Sequence, residues 1–396
     1  MRTLGMAVIV GLVVGCGGMA RKTASPAAYA QPGYPSSDSV AAEAAPSGGV
    51  GVPPGSPGAI GGMPAPEAPA PPKSEARAST TPVATPPPPP PPRETRPLPQ
   101  AGQLTAGVWD DNRNFEFWKP YAIRFTERGS DFAMFTTSEL EAARAEASRR
   151  HDPRTELDIQ LVLDTTGSMG DELSYLQSEF DAIATQVRAK FPNVTPRWSL
   201  VVYRDHGDDY VTRGFDFTTD TNHFRANLRA QRAVGGGDTP EAVVEGLSTG
   251  LAQHWRAAPN VAKIAFWVAD APAHPGEGKK LASALAATRD KGIHVYPVAS
   301  SDADETAEYQ MRSAAQITSG RYIFLTNDSG IGNAHAEPHI PCYNVSRLDH
   351  AIVRMIEVEM SGSFVEADAR QVIRSVGRPN KEGKCQLSSG MLVASY

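Results

Sequence analysis

The run Asp164-Thr165-Thr166-Gly167-Ser168 sets three oxygen-bearing side chains, Asp164, Thr166 and Ser168, at i, i+2 and i+4. One carboxylate and two hydroxyls are donors for a hard divalent cation, because Mg2+ takes oxygen ligands in octahedral array and keeps several waters. Two further acids stand where they can complete such a set. Asp270 follows the apolar run Lys263–Ala269, and Glu241 follows the glycine-rich stretch Gly235-Gly236-Gly237-Asp238-Thr239-Pro240. The chemistry expected is capture of one Mg2+, with Mn2+ or Ca2+ as alternatives.

Other constellations are weaker. The Asp164 loop superficially matches the Asp-Thr-Gly-Ser loop of aspartic proteases, but a threonine is inserted. A second loop to complete a carboxylate dyad is missing. His335, His339 and Cys342, with Glu337 between, offer zinc-ligand types, yet their scatter reads as a long loop. At the end of Trp198–Tyr203, Asp205 either lines the site or pairs with Arg204. No nucleophile-elbow, phosphate-loop or paired-histidine zinc motif occurs in the sequence. An enzyme is not expected.

The elements that must hold these residues alternate. Apolar runs at 158–163, 198–203, 263–269, 293–298 and 321–325 read as strands, with a short edge strand at 214–217. Between them, 171–190, 221–232, 240–255, 278–290 and 302–319 read as helices, and 347–360 as a last one. Pro240 is taken as the first-turn residue of its helix. This pattern implies a doubly wound, mostly parallel sheet with helices on both faces. Ligands then sit beyond the carboxyl ends of the strands.

Taken in this order, the motifs resemble the von Willebrand factor A family from about Glu156 to Met360. Asp164, Thr166 and Ser168 match its metal-ion-dependent adhesion site, and Asp270 matches its distant aspartate. The resemblance implies one more ligand. Thr239 fits the common form, and Glu241 fits the integrin beta form; both are carried. Asp171 and Glu172 match an acidic pair flanking that site, and Asp238 stands where a second flanking site would draw on it. The resemblance further implies that the ion keeps an exposed position, which an acidic side chain of a protein partner fills.

The rest of the chain concerns placement. Arg2 and the apolar stretch 4–14 fit a signal-peptide core over 1–15, too short to span a bilayer. Val13-Val14-Gly15-Cys16 resembles the bacterial lipobox, which implies lipidation of Cys16. With Gly17 next, the resemblance leans toward the outer membrane, on its periplasmic or surface face. Residues 16–103 are rich in Pro, Ala and Gly, with an unbroken proline run at 86–92. Such a composition cannot bury enough apolar surface to fold and acts as a semi-rigid spacer. In an oxidising compartment, Cys342 and Cys385 either pair or remain free thiols. Residues 104–155 are dense in aromatics, from Trp109 to Phe135, and are expected to pack on the following domain. Ser138 is taken as the cap of a helix running to about Arg150. Residues 156–362 form the expected domain and 363–396 a tail.

A net charge of −6 argues mildly against a nucleic-acid binder, which would normally show a basic face. The function expected is a membrane-anchored extracytoplasmic module that binds a protein partner through a divalent ion, in adhesion or envelope assembly. The alternatives are a metal-assisted hydrolase and an envelope scaffold whose metal site is dispensable.

Overall fold

The computed structural model describes residues 103–237, 239–331, 335 and 338–396. The expected signal peptide, Cys16, most of the expected proline-rich spacer, Asp238 and Glu337 lie outside these residues.

Among the described residues the core is one nine-stranded sheet. Its centre is parallel and comes from the alternating run: β2 (Glu156–Asp164), β3 (Arg197–Tyr203), β5 (Val261–Ala269), β6 (His294–Ala299) and β7 (Tyr322–Thr326). β4 (Thr212–Thr218) closes one edge antiparallel to β3. The other side is built by strands the periodicity did not show. β1 (Thr105–Trp109) lies antiparallel between β7 and β8 (Tyr343–Arg347), and β9 (Arg374–Val376) pairs outside β8. The order is β4-β3-β2-β5-β6-β7-β1-β8-β9.

Side-chain alternation sorts the core into two layers, because successive residues of a strand face opposite sides. Leu157, Ile159, Leu161 and Leu163 of β2 join Ile264, Phe266 and Val268 of β5 beneath α3 (Gly170–Lys190), α4 (Thr221–Arg229) and α8 (Leu348–Ser361). Val162, Ala265, Trp267 and Ala269 face the other way, toward α5 (Val243–Leu251), α6 (Gly278–Asp290) and α7 (Glu305–Ile317).

The segment before β2 and the tail after α8 belong to this sheet. Residues 104–155 supply β1, α1 (Phe115–Thr126) and α2 (Thr137–Ala147). Trp109, Trp118, Tyr121 and Phe125 are buried, and the Phe125 ring stacks on Tyr309 of α7 at 4.3 Å. The tail adds β9 and a hairpin of β10 (Lys384–Gln386) and β11 (Leu392–Ala394). Cys342 and Cys385 are joined by a disulfide, Cα to Cα 6.1 Å, which ties this hairpin to the residue just ahead of β8.

Three local expectations need correction. The cap of α2 is Thr136, not Ser138: the Thr136 hydroxyl accepts from the Glu139 amide, and the Glu139 carboxylate accepts from the Thr136 amide. A capping box needs its acid three residues on, and Glu139 meets that spacing from Thr136. The helix after the glycine-rich stretch starts at Val243, not Pro240, and ends at Leu251 rather than near Trp255. Glu241 is instead held extended by a bridge to Ala273, with its amide donating to the Pro272 carbonyl at 3.0 Å. The helix expected over 302–319 runs only from Glu305 to Ile317, because Asp304 caps it by accepting from the Ala307 amide at 2.7 Å.

Candidate metal centre

β2 ends on Asp164 and β5 ends one residue before Asp270. The two strands are parallel neighbours with Leu163 opposite Val268, so both carboxylates leave the sheet at the same rim. Glu241 arrives from a third direction through its bridge to the β5–α6 loop. α5 behind it packs closely on β3, where a Cβ on Gly246 would sit 2.5 Å from the Tyr203 ring. Asp164, Thr166, Glu241 and Asp270 are buried, at 1%, 1%, 3% and 7% exposure.

The loop after β2 is braced by the glycine-rich stretch. The Gly167 amide donates to the Gly235 carbonyl, and the Val234 amide donates to the Thr165 carbonyl. Gly236 has φ +72°, and a side chain there would meet Glu241 Oε1 at 3.1 Å and the Thr166 Cβ at 3.2 Å. The positive φ by itself favours glycine, and the close approach adds to that preference. The Asp208 carboxylate holds the stretch by accepting from the Gly236 amide at 3.0 Å.

One oxygen of Asp164 is spoken for, since Oδ1 accepts both the amide and the hydroxyl of Thr166. The Thr166 and Ser168 hydroxyl oxygens lie 3.4 Å apart, and Ser168 hydrogen-bonds Asp270. Asp164 Oδ2, Glu241 Oε2 and Asp270 Oδ1 are buried with no hydrogen-bond partner. Burial, then the negative charge of Asp270, pushes the Asp164 carboxyl up to about 7. Burial, then the charges of Asp164, Asp205 and Asp270, pushes Glu241 up to about 9. Asp270 is also raised, chiefly by burial, against the Ser168 hydrogen bond. Three orphaned oxygens in a field of mutual repulsion fit a hard cation: it would supply the missing partner and cancel the repulsion.

The residues singled out from sequence are not all gathered. Ser168 is exposed but joins the cluster through Asp270. Thr239 is exposed, whereas Glu241 is buried and coupled to Asp164 and Asp270. Of the flanking pair, Asp171 is exposed, while Glu172 is buried and accepts the amide and hydroxyl of Ser301 at 3.0 and 2.6 Å. Glu172 Oε2 is unpartnered. The imagined zinc set disperses. His335 sits against Ser301 and Asn327, His339 against Glu308, and Cys342 is in the disulfide. Asp205 pairs with His274 at 2.5 Å rather than with Arg204, which reaches Asp209 at 3.7 Å and the Arg232 carbonyl. Asp208, His274 and Ser301 escaped the sequence reading. All three lie in loops that follow strand ends, and the rule that such loops line the ligand rim was their available signal.

Residues 158–334 match the family model described as von Willebrand factor A domain. Over these residues the chain is similar to the von Willebrand factor A family. The match begins inside β2, so the matched region shares its sheet with β1, β8 and β9 from outside it. The chain is 28% identical over 198 residues to a protein of Acanthamoeba polyphaga mimivirus described as an ariadne-like RING finger protein, covering 44% of this chain and 19% of the relative. It is 26% identical over 140 residues to the alpha-protein kinase vwkA of Dictyostelium discoideum, covering 35% and 22%. The chain thus spans about a fifth of the length of these curated relatives. Among solved structures, BatB of Bacteroides thetaiotaomicron is similar at TM-score 0.37 and 14% identity, covering 52% of this chain and 98% of that one. The pilus adhesin SpaC of Lactobacillus rhamnosus GG is similar at TM-score 0.34 and 14% identity, covering 43% and 28%.

Proposed function

We propose that the A domain is a metal-dependent protein-binding module, not an enzyme, held at the cell envelope by a lipid on Cys16 and spaced from the membrane by the proline-rich stretch. The observation that carries the metal reading is the set of unpartnered, buried oxygens on Asp164, Glu241 and Asp270, delivered by three separate chain segments to one rim. Mg2+ or Mn2+ is the ion this donor set suits, with Thr166 and Ser168 as hydroxyl donors. When bound, the ion supplies a Lewis-acidic position that a carboxylate of the partner can enter by displacing water.

The chain's own residues do the rest. Thr166 fixes the rotamer of Asp164 through two hydrogen bonds to one oxygen, so the other is free to point at the ion. The Gly235-Gly236 backbone holds Thr166 and Glu241 in register. Nucleic acid is not expected as a partner, given the net charge of −6.

The test is calorimetric titration of the full chain with Mg2+ and Mn2+, followed by capture of partners from envelope extract in Mg2+ and in EDTA. Saturable uptake lost in Asp164→Ala, with capture lost in EDTA, is the expected result. Capture that persists in EDTA and in the variant sinks it.

A further inference from the structure

Beside the oxygen-lined rim stands a second cluster of different chemistry. Asp205 and His206 come from the β3–β4 loop and His274 from the β5–α6 loop, and one ligand atom of each lies within 4.8 Å of the others. His274 Nε2 is 2.5 Å and His206 Nδ1 is 3.7 Å from Asp205 Oδ1. The two imidazole rings lie 5.2 Å apart, centre to centre. Asp205 is buried, His274 is partly buried and His206 is half-exposed.

From this arrangement we infer a second metal site, in which Asp205 Oδ1, His206 Nδ1 and His274 Nε2 hold a transition-metal dication of the Zn2+ class. Imidazole nitrogens favour Zn2+ and its neighbours, whereas an all-oxygen set favours Mg2+ or Mn2+. The two sites therefore divide the ions between them. Around a four-coordinate Zn2+ with bonds of about 2.0–2.1 Å, ligand atoms lie roughly 3.3 Å apart. The His206–Asp205 pair is already near that spacing, and the tighter His274–Asp205 pair need open by only about 0.8 Å.

Glu245 supports the assignment from behind. Its Oε1 lies 3.3 Å from His206 Nε2, and its Oε2 is buried without a partner. A carboxylate on the far nitrogen of a histidine is what orients the ring of a metal ligand and fixes its tautomer. Glu245 lies in the first turn of α5, four residues after Glu241. Asp205 also adds its charge to the field on Asp164 and Glu241, so the two centres are electrostatic neighbours. Three protein ligands leave one position for water, and half-exposed His206 places it within reach of solvent.

The inference stands apart from the oxygen-lined site, and the test separates them. The untagged full chain, held in millimolar Mg2+, is titrated with Co2+ and read by visible absorption. Co2+ in a four-coordinate site with nitrogen donors absorbs there, while hydrated Co2+ absorbs weakly. A single saturable equivalent with a visible band is expected. The band should weaken about a hundredfold in affinity in His206→Ala and in His274→Ala, and roughly tenfold in Glu245→Gln. It should persist in Asp164→Asn, with circular dichroism confirming that each variant is folded. Absence of the band, or its survival in folded His206→Ala/His274→Ala, overturns the inference. Its loss in Asp164→Asn with the histidine variants unaffected does so too, since Co2+ would then be reporting on the oxygen site.

Discussion

Thr166 directs both its amide and its hydroxyl at one oxygen of Asp164, at 2.9 and 2.7 Å, and leaves the second oxygen buried and bare. The carboxylate is oriented before any ion arrives, and the cost of that orientation is carried by the fold. Asp164→Asn keeps an acceptor for Thr166 and removes one charge from a repelling cluster. The variant is therefore expected to gain about 1 kcal/mol of metal-free stability while losing Mn2+ uptake. Thermal melts in EDTA and Mn2+ calorimetry read the two effects. A variant that binds Mn2+ within a factor of two of the parent would show that Asp164 is not a ligand.

The choice between Glu241 and Thr239 is open to a direct comparison. Glu241 is buried against the cluster and Thr239 is exposed. Glu241→Gln should weaken Mn2+ binding by at least about tenfold, on the scale of a lost charge-assisted contact, and Thr239→Ala by less than about twofold. Calorimetric titration of both decides, and the reverse ranking would hand the role to Thr239.

Metal should also stabilise the fold by mass action. At about a hundred times its dissociation constant, a ligand that binds only the folded state adds about 2.7 kcal/mol. Denaturant unfolding monitored with and without Mg2+ should show that gain in the parent and none in Asp270→Ala. Equal gains in both would place the ion elsewhere.

The buried charges on α7 make a separate prediction. Arg312 is fully buried and binds both oxygens of Asp111 at 2.7 and 2.9 Å and Glu308 at 2.9 Å. Asp111 in turn accepts the Trp109 indole. Arg312→Ala strands two carboxylates and should cost about 3–5 kcal/mol. Arg312→Met combined with Asp111→Asn should cost distinctly less. Urea midpoints measure both, and equal losses would argue that packing alone sets the penalty.

Acid sensitivity follows from Glu359. Burial would raise its carboxyl, but the nearby charges of His294 and Arg321, with the Tyr296 hydroxyl donating at 2.5 Å, hold it at about 2. A folded value below the ordinary 4.5 means that this stabilisation is present above about 4.5 and is lost as pH falls toward 2. Glu359→Gln should flatten that part of the stability profile. A variant as acid-sensitive between those limits as the parent would remove Glu359 from the account.

Within residues 156–360 the sequence by itself determined the alternation of strands and helices. The apolar run Lys263–Ala269 reads as a buried strand, and amphipathic stretches such as 171–190 read as the helices that cover the sheet. It also placed Asp164 and Asp270 at strand ends, where a parallel sheet collects its ligands. Only the tertiary structure decided what lies beyond local periodicity. The sheet positions of β1, β8 and β9 depend on partners far along the chain, which no local pattern carries. The same holds for Glu241 and Thr239. Two residues apart in one loop, they are equivalent in composition and spacing. It is the long-range bridge from Glu241 to Ala273, absent from any local signal, that turns one inward and leaves the other in water.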